Sequence, residues 1–250
     1  MLRVEDLSVS YGSVHALDGV TLEVAKRGVL HGIIGPNGAG KSTLMDAITG
    51  RRRPTRGRVF VDGRDITQRS VTWRRRAGMS RSFQRTSIFP GLTVREQLEL
   101  VASQLGEPDL GQIVDAFELR GAMDEPADSI AYGDQRRVDI ALAMIGKPSL
   151  MLLDEPAAGL STTETVALFQ HLESLVRRRG VTALVVEHDV DAVFRFCDAV
   201  TALDLGRLIL TGSPVAGRFT FPPGVDHIRM PGVVKTPEGE YVSESLNMDI

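Results

Sequence analysis

"GPNGAGKST", Gly35 to Thr43, decides how the rest of the chain is read. Gly35, Gly40, Lys41 and Ser42 fit the spacing G-x-x-x-x-G-K-[ST], in which glycines let backbone N–H groups turn inward around phosphates. The apolar run "GVLHGIIG" before it reads as a buried strand stopping at Gly35, and "KSTLMDAITG" after it reads as a helix ended by Gly50. A strand, a glycine loop and a helix whose positive end meets an anion form a phosphate site. Lys41 would reach the β- and γ-phosphates, and the Ser42 hydroxyl would ligate Mg²⁺.

Working outward, "LRVEDLSVSYGSVHALDGVTLEV" alternates apolar and polar residues and is expected to form short antiparallel strands broken at Gly12 and Gly19. "GRVFVDGRDI" is expected to be a hairpin turning at Asp62-Gly63. From Pro90 to Asp128 strand signals vanish and helical periodicity takes over, which reads as an insert. Beyond it helices and strands alternate: "DQRRVDIALAMIG", "LMLLDEP", "TETVALFQHLESLVRRRG", "TALVVEHD", "VDAVFRFCD" and a closing hairpin in "AVTALDLGRLILTGS". That alternation predicts a largely parallel sheet with crossover helices.

The second half of the site follows from the same pattern. "LMLLDEP" is a buried strand ending in Asp154, at the sheet edge where ligands bind, and Asp154 is placed to hold Mg²⁺. Glu155 follows and would polarise an attacking water. "VVEHD" repeats the arrangement and ends at His188, suited to hydrogen-bonding a phosphate.

Composition sets outer limits. The 250 residues are 42% hydrophobic and 24% charged, and the net charge of −3 gives no electrostatic case for nucleic-acid binding. The single cysteine, Cys197, excludes an intrachain disulfide and is expected to be a buried thiol. Glu5 and Asp6 stand where a signal peptide would be apolar, and no apolar run reaches the roughly 18 residues of a membrane helix. The arginine runs Arg51–Arg53, Arg74–Arg76 and Arg177–Arg179 read as solvated faces, with Arg74–Arg76 and Trp73 a candidate contact for membrane-domain helices.

In this order the motifs resemble the ATPase subunit of ABC transporters over roughly residues 1–213. The resemblance implies an α/β P-loop NTPase (RecA-like), with an N-terminal antiparallel β subdomain, a helical subdomain inserted at about 88–133, and 214–250 as a tail or small appendage. It implies that Tyr11 stacks on adenine and that Gly35, Pro36, Asn37, Gly38, Ala39, Gly40, Lys41, Ser42 and Thr43 hold the phosphates of ATP. It implies that Gln84 is the glutamine-loop residue, with a catalytic and a metal-binding part. It also implies that Asp154 is the metal-holding carboxylate, Glu155 the catalytic glutamate, Ala158–Ser161 the D-loop and His188 the switch histidine.

Between Gln84 and Asp154 the family carries Leu-Ser-Gly-Gly-Gln, which closes over ATP held by an opposing subunit. The aligned residues here are Ile130, Ala131, Tyr132, Gly133 and Asp134, of which only Gly133 is unchanged. Ala131 lacks the hydroxyl donor, so the site is expected to be weakened rather than dead, with the helix end and the Gly133 N–H left to favour an anion. Ala-Tyr-Gly together with "DEPAAGL" resembles the ATPases of branched-chain amino-acid importers, although Ser161 replaces the usual D-loop aspartate. The implied partners are transmembrane permease subunits, a second ATPase subunit (homodimer or paralogue) and, indirectly, a substrate-binding protein, at the cytoplasmic face of the cell membrane. The alternative is an ABC-type ATPase of the repair or translation class, which usually carries coiled-coil insertions or paired cassettes. A purely regulatory nucleotide-binding module is disfavoured by the presence of Lys41, Asp154, Glu155 and His188 together.

Overall fold

The computed structural model describes residues 1–107 and 109–214, and beyond them the backbone of three short strands at 218–219, 233–235 and 241–243. Most of the expected tail at 214–250 therefore lies outside the described residues.

The chain opens with β1 (Leu2–Tyr11), β2 (Val14–Val24) and β3 (Leu30–Ile34), then α1 (Lys41–Thr49). Next come β4 (Arg56–Val61), β5 (Arg64–Asp65), α2 (Val71–Arg76) and β6 (Met79–Ser82). A helical stretch follows: α3 (Val94–Leu105), α4 (Gly111–Ala116), a 3-10 turn at Arg120–Ala122, and α5 (Tyr132–Met144). The chain continues through β7 (Leu150–Asp154), α6 (Thr162–Arg179), β8 (Thr182–Val186), α7 (Val190–Phe196), β9 (Ala199–Asp204) and β10 (Arg207–Gly212). The short strands β11 (Arg218–Phe219), β12 (Val233–Lys235) and β13 (Tyr241–Ser243) form a small antiparallel sheet, ordered β11-β13-β12.

Two larger sheets organise the rest. β2-β1-β4-β5 is antiparallel, and β10-β9-β3-β8-β7-β6 is parallel from β9 to β6. Alternation along the parallel strands splits the core in two. Leu30, Met151, Leu153, Ala183 and Val185 face α3, α5, α6 and α7, whereas Ile33, Leu150, Leu152, Leu184 and Val186 face α1 and the antiparallel sheet. Strands buried on both faces place their C-terminal ends in a row, and that row is where Gly35, Asp154 and His188 emerge.

Gly19 does not break β2. It sits at φ 68, its N–H donates to Ser8 Oγ at 3.0 Å, and the register shifts there as a bulge while the strand runs on. Asp62 and Gly63 both adopt positive φ (50° and 74°), as a two-residue hairpin turn requires. Arg74 corrects the reading of its arginine run as a solvated or membrane-facing patch. Its side chain is buried and donates to the carbonyls of Ala47, Ile48, Thr67 and Arg69, closing the end of α1 onto α2. Cys197 is buried, and burial raises its thiol pKa well above the usual range.

Candidate active site

Backbone shape comes first. Gly35 (φ 149°) and Gly40 (φ 99°) leave no room for a side chain: a Cβ would stand 2.1 Å from Leu203 O and 2.5 Å from Ala16 O respectively. The phosphate loop is thus pressed against the β9–β10 turn and the start of β2, with Gly206 N donating to Ala39 O at 3.1 Å. Gly40 caps α1 without a side-chain hydrogen bond, so the first N–H groups of α1 are left for an anion. Lys41 is 6% exposed and curls over its own loop, donating to Gly35 O at 2.6 Å and Pro36 O at 3.0 Å. Burial lowers its pKa, while Glu155 and Asp154 nearby pull it back up. Pro36, Asn37, Gly38, Ala39, Ser42 and Thr43 complete the loop and the first turn, with Ser42 exposed.

Two separate strand ends deliver side chains to one carboxylate on a third. Gln84, just beyond β6, donates from Nε2 to Glu155 Oε2 at 2.7 Å, and His188, just beyond β8, places Nε2 at 2.9 Å from Glu155 Oε1. Glu155 itself stands at φ +49° immediately after β7, with its N–H on Val186 O at 2.8 Å. Asp154, 6% exposed, ends β7, and its Oδ2 accepts from Arg81 at 2.9 Å. Arg81 also reaches Asp46 Oδ1 at 2.5 Å, tying β6 to α1 and β7. The sequence reading missed this arginine, because "MSRS" in β6 is too polar to signal a buried strand.

Ser42 and Asp154 offer hard oxygen donors of the kind Mg²⁺ takes, and no cluster of three metal-binding side chains occurs among the described residues. That donor set fits a cation completed by phosphate oxygens and water. Tyr11 is 45% exposed, and one ring face carries the Arg52 guanidinium at 4.0 Å from the centroid.

Ala131 to Gly133 lie elsewhere, at the start of α5. Ala131 is the N-cap and supplies no side-chain bond. The Tyr132 hydroxyl donates to Ala158 O at 3.2 Å in the loop before α6. Ser161 caps α6 in a reciprocal capping box with Glu164, a local reason for serine at that position. Glu187 was also missed: buried before His188, it accepts from Ala157 N at 2.7 Å and His188 N at 3.1 Å, and burial raises its pKa. A cleft of about 620 Å³ opens between α3, α5 and β6, lined by Met79, Phe89, Leu100, Val101, Leu105 and Leu142 among others.

Residues 17–158 match the ABC transporter family. The high-affinity branched-chain amino acid transport ATP-binding protein LivG of Salmonella typhimurium is 32% identical over 236 residues, covering 86% of this chain and 92% of that protein. The methionine import ATP-binding protein MetN of Mesorhizobium japonicum is 34% identical over 232 residues, covering 89% of this chain, which spans 62% of MetN. The solved ADP conformation of an ATP-binding cassette of an ABC transporter superposes with a TM-score of 0.77 at 30% identity, covering 85% of this chain and 91% of that one.

Proposed function

The chain belongs to the ABC transporter family as its ATP-binding, ATP-hydrolysing subunit, and on that premise we propose that it drives an importer of branched-chain amino acids, working as one half of an ATPase pair. The observation that carries the catalytic part is Glu155, its carboxylate held between Gln84 Nε2 and His188 Nε2 beside the phosphate loop. In the proposal ATP lies with its phosphates on Gly35–Thr43 and its adenine on Tyr11, and Lys41 leaves its carbonyls for the β- and γ-phosphates. Mg²⁺, when bound, would neutralise phosphate charge from Ser42 and Asp154, with Gln84 in reach. Glu155 orients and deprotonates water, and His188 steadies the γ-phosphate.

Two features support a transport role. Phe89 and Leu100, each 46% exposed, and Val71, 45% exposed, stand along the cleft by Gln84, which suits apolar helices of permease subunits. No described helix is long and apolar enough to cross a membrane, which fits a subunit bound peripherally to permeases at the cytoplasmic face. The substrate class rests on the Ala131-Tyr132-Gly133 spelling and on the resemblance to LivG, among relatives that also include methionine import. The test is co-purification with the permeases and uptake into proteoliposomes. ATP-dependent entry of leucine, isoleucine and valine is expected; entry of methionine or an inorganic ion alone would assign the chain to another importer.

A further inference from the structure

Arg136 has no assigned role, yet its guanidinium is the most enclosed charge near the reaction centre. It is 0% exposed. Nε donates to Pro156 O at 2.8 Å, one terminal nitrogen to Phe83 O at 2.7 Å, and the other to Glu155 O at 2.6 Å and Asp154 O at 3.2 Å. Its carboxylate neighbour is Asp139, at 3.4 Å. Four main-chain carbonyls from two strand ends converge on one planar fork. A buried guanidinium needs such satisfaction, and a lysine could serve only part of it.

What those carbonyls belong to gives the contact its meaning. Phe83 directly precedes Gln84. Glu155 sits in the left-handed region at φ +49°, which a residue with a side chain keeps only when its surroundings hold it there. The peptide that Arg136 grips is therefore the one that aims the Glu155 carboxylate between Gln84 and His188. Arg136 itself lies one turn into α5, whose N-terminus is Ala131–Gly133.

We propose that Arg136 is a positioning residue for hydrolysis: it locks the turn at Glu155 and the strand end before Gln84, and it ties both to the helix whose start faces the opposing ATP. This rests on the paired-ATPase reading above. Closure on the neighbour's nucleotide then reaches the subunit's own catalytic turn through one side chain. Arg136 touches neither the phosphate loop nor Tyr11, so nucleotide affinity should be spared when it is altered.

The test is Arg136→Lys in the full chain, assembled with its partners. Expected is a fall in kcat of about tenfold or more, with KM for ATP within about twofold. Hydrogen exchange should quicken at the Ala158 amide, which bonds Glu155 O at 3.1 Å, and at Gln135, which bonds Ala131 O at 3.0 Å, with α1 unchanged. Should Arg136→Lys not fold, Asp139→Asn carries the test, with a smaller kcat loss and exchange quickened at the same amides. An unchanged kcat per folded molecule, or a loss confined to KM, overturns the proposal, because a purely structural arginine would lower only the melting temperature. If the wild-type chain never pairs or hydrolyses ATP, the functional reading fails instead, and exchange at Ala158 still reports on the grip.

Discussion

Glu155 is held at both carboxylate oxygens, by Gln84 at 2.7 Å and by His188 at 2.9 Å. Glu155→Gln preserves shape but removes the charge and proton affinity that a general base needs. Nucleotide binding should persist while hydrolysis falls by on the order of a hundredfold or more, read from phosphate release beside fluorescent-nucleotide titration. A wild-type rate would show that the base is another group. Lys41→Ala should instead weaken binding itself. Gly133 permits a second experiment at this scale. A Cβ there would come 2.9 Å from Glu164 Oε1, so Gly133→Ala must turn aside the carboxylate that also closes the capping box on Ser161, at a small cost to the fold. The backbone approach to an opposing γ-phosphate is what that methyl should obstruct. ATP affinity of the single chain should stay near wild type, with at most a small fall in melting temperature, while hydrolysis in the assembled complex drops. Full hydrolysis by Gly133→Ala would make the start of α5 an ordinary helix end.

At the scale of elements, β3 carries a buried polar test of the core. His31 is 2% exposed with Nε2 at 2.7 Å from Thr201 Oγ1, and burial lowers its pKa from 6.5 to about 4. A depressed histidine favours the neutral folded form, so its contribution to stability is complete above pH 6.5 and is lost as pH falls toward about 4. The loss amounts to roughly 3 kcal/mol across that window. His31→Gln, which retains a hydrogen-bonding side chain, should flatten this part of the profile in urea unfolding at stepped pH. Equal slopes for both proteins would contradict the assignment. The strands and helices that the sequence disclosed are those with a clean period: β3, β7 and β8 as apolar runs, and α3 and α6 as helical stretches, which the structure shows to begin with capping boxes at Thr93 and Ser161. Those it concealed are β6 and α2, where Ser80, Ser82 and Arg74 are buried without apolar character. Their burial depends on partners distant in the chain, such as Arg74 on the carbonyls ending α1, and no local pattern encodes that. The same holds for the site. The phosphate loop, Asp154 and Glu155 are contiguous motifs and were legible, whereas Arg81, Arg136 and Glu187 act through tertiary contacts to carboxylates and backbone.

Across the whole molecule, the two proposed half-sites are built on different elements. Gly35–Thr43, Gln84, Glu155 and His188 meet at the C-terminal edge of the parallel sheet, whereas Ala131–Gly133 sit at the start of α5 against the loop before α6. Within one chain Ala131 brings no donor and the first N–H groups of α5 have no side-chain cap. An opposing γ-phosphate would satisfy them and would bind at a helix N-terminus, where an anion is favoured by roughly 0.3–1 kcal/mol. Such a contact exists only while ATP is intact, and it is one of several that a nucleotide shared by two chains would make. Pairing should therefore depend on nucleotide. The chain carrying Glu155→Gln is expected to run as a monomer without ATP and to pair in Mg-ATP, observed by light scattering across a concentration series. ADP should not substitute, since the γ-phosphate is the shared ligand. The paired form should weaken by about a few-fold when Gly133→Ala is added to Glu155→Gln, because the second half-site then stands off the phosphate. A dimer of equal strength with and without nucleotide would mean that the chains associate through another surface, and Ala131–Gly133 would lose their place in the active site.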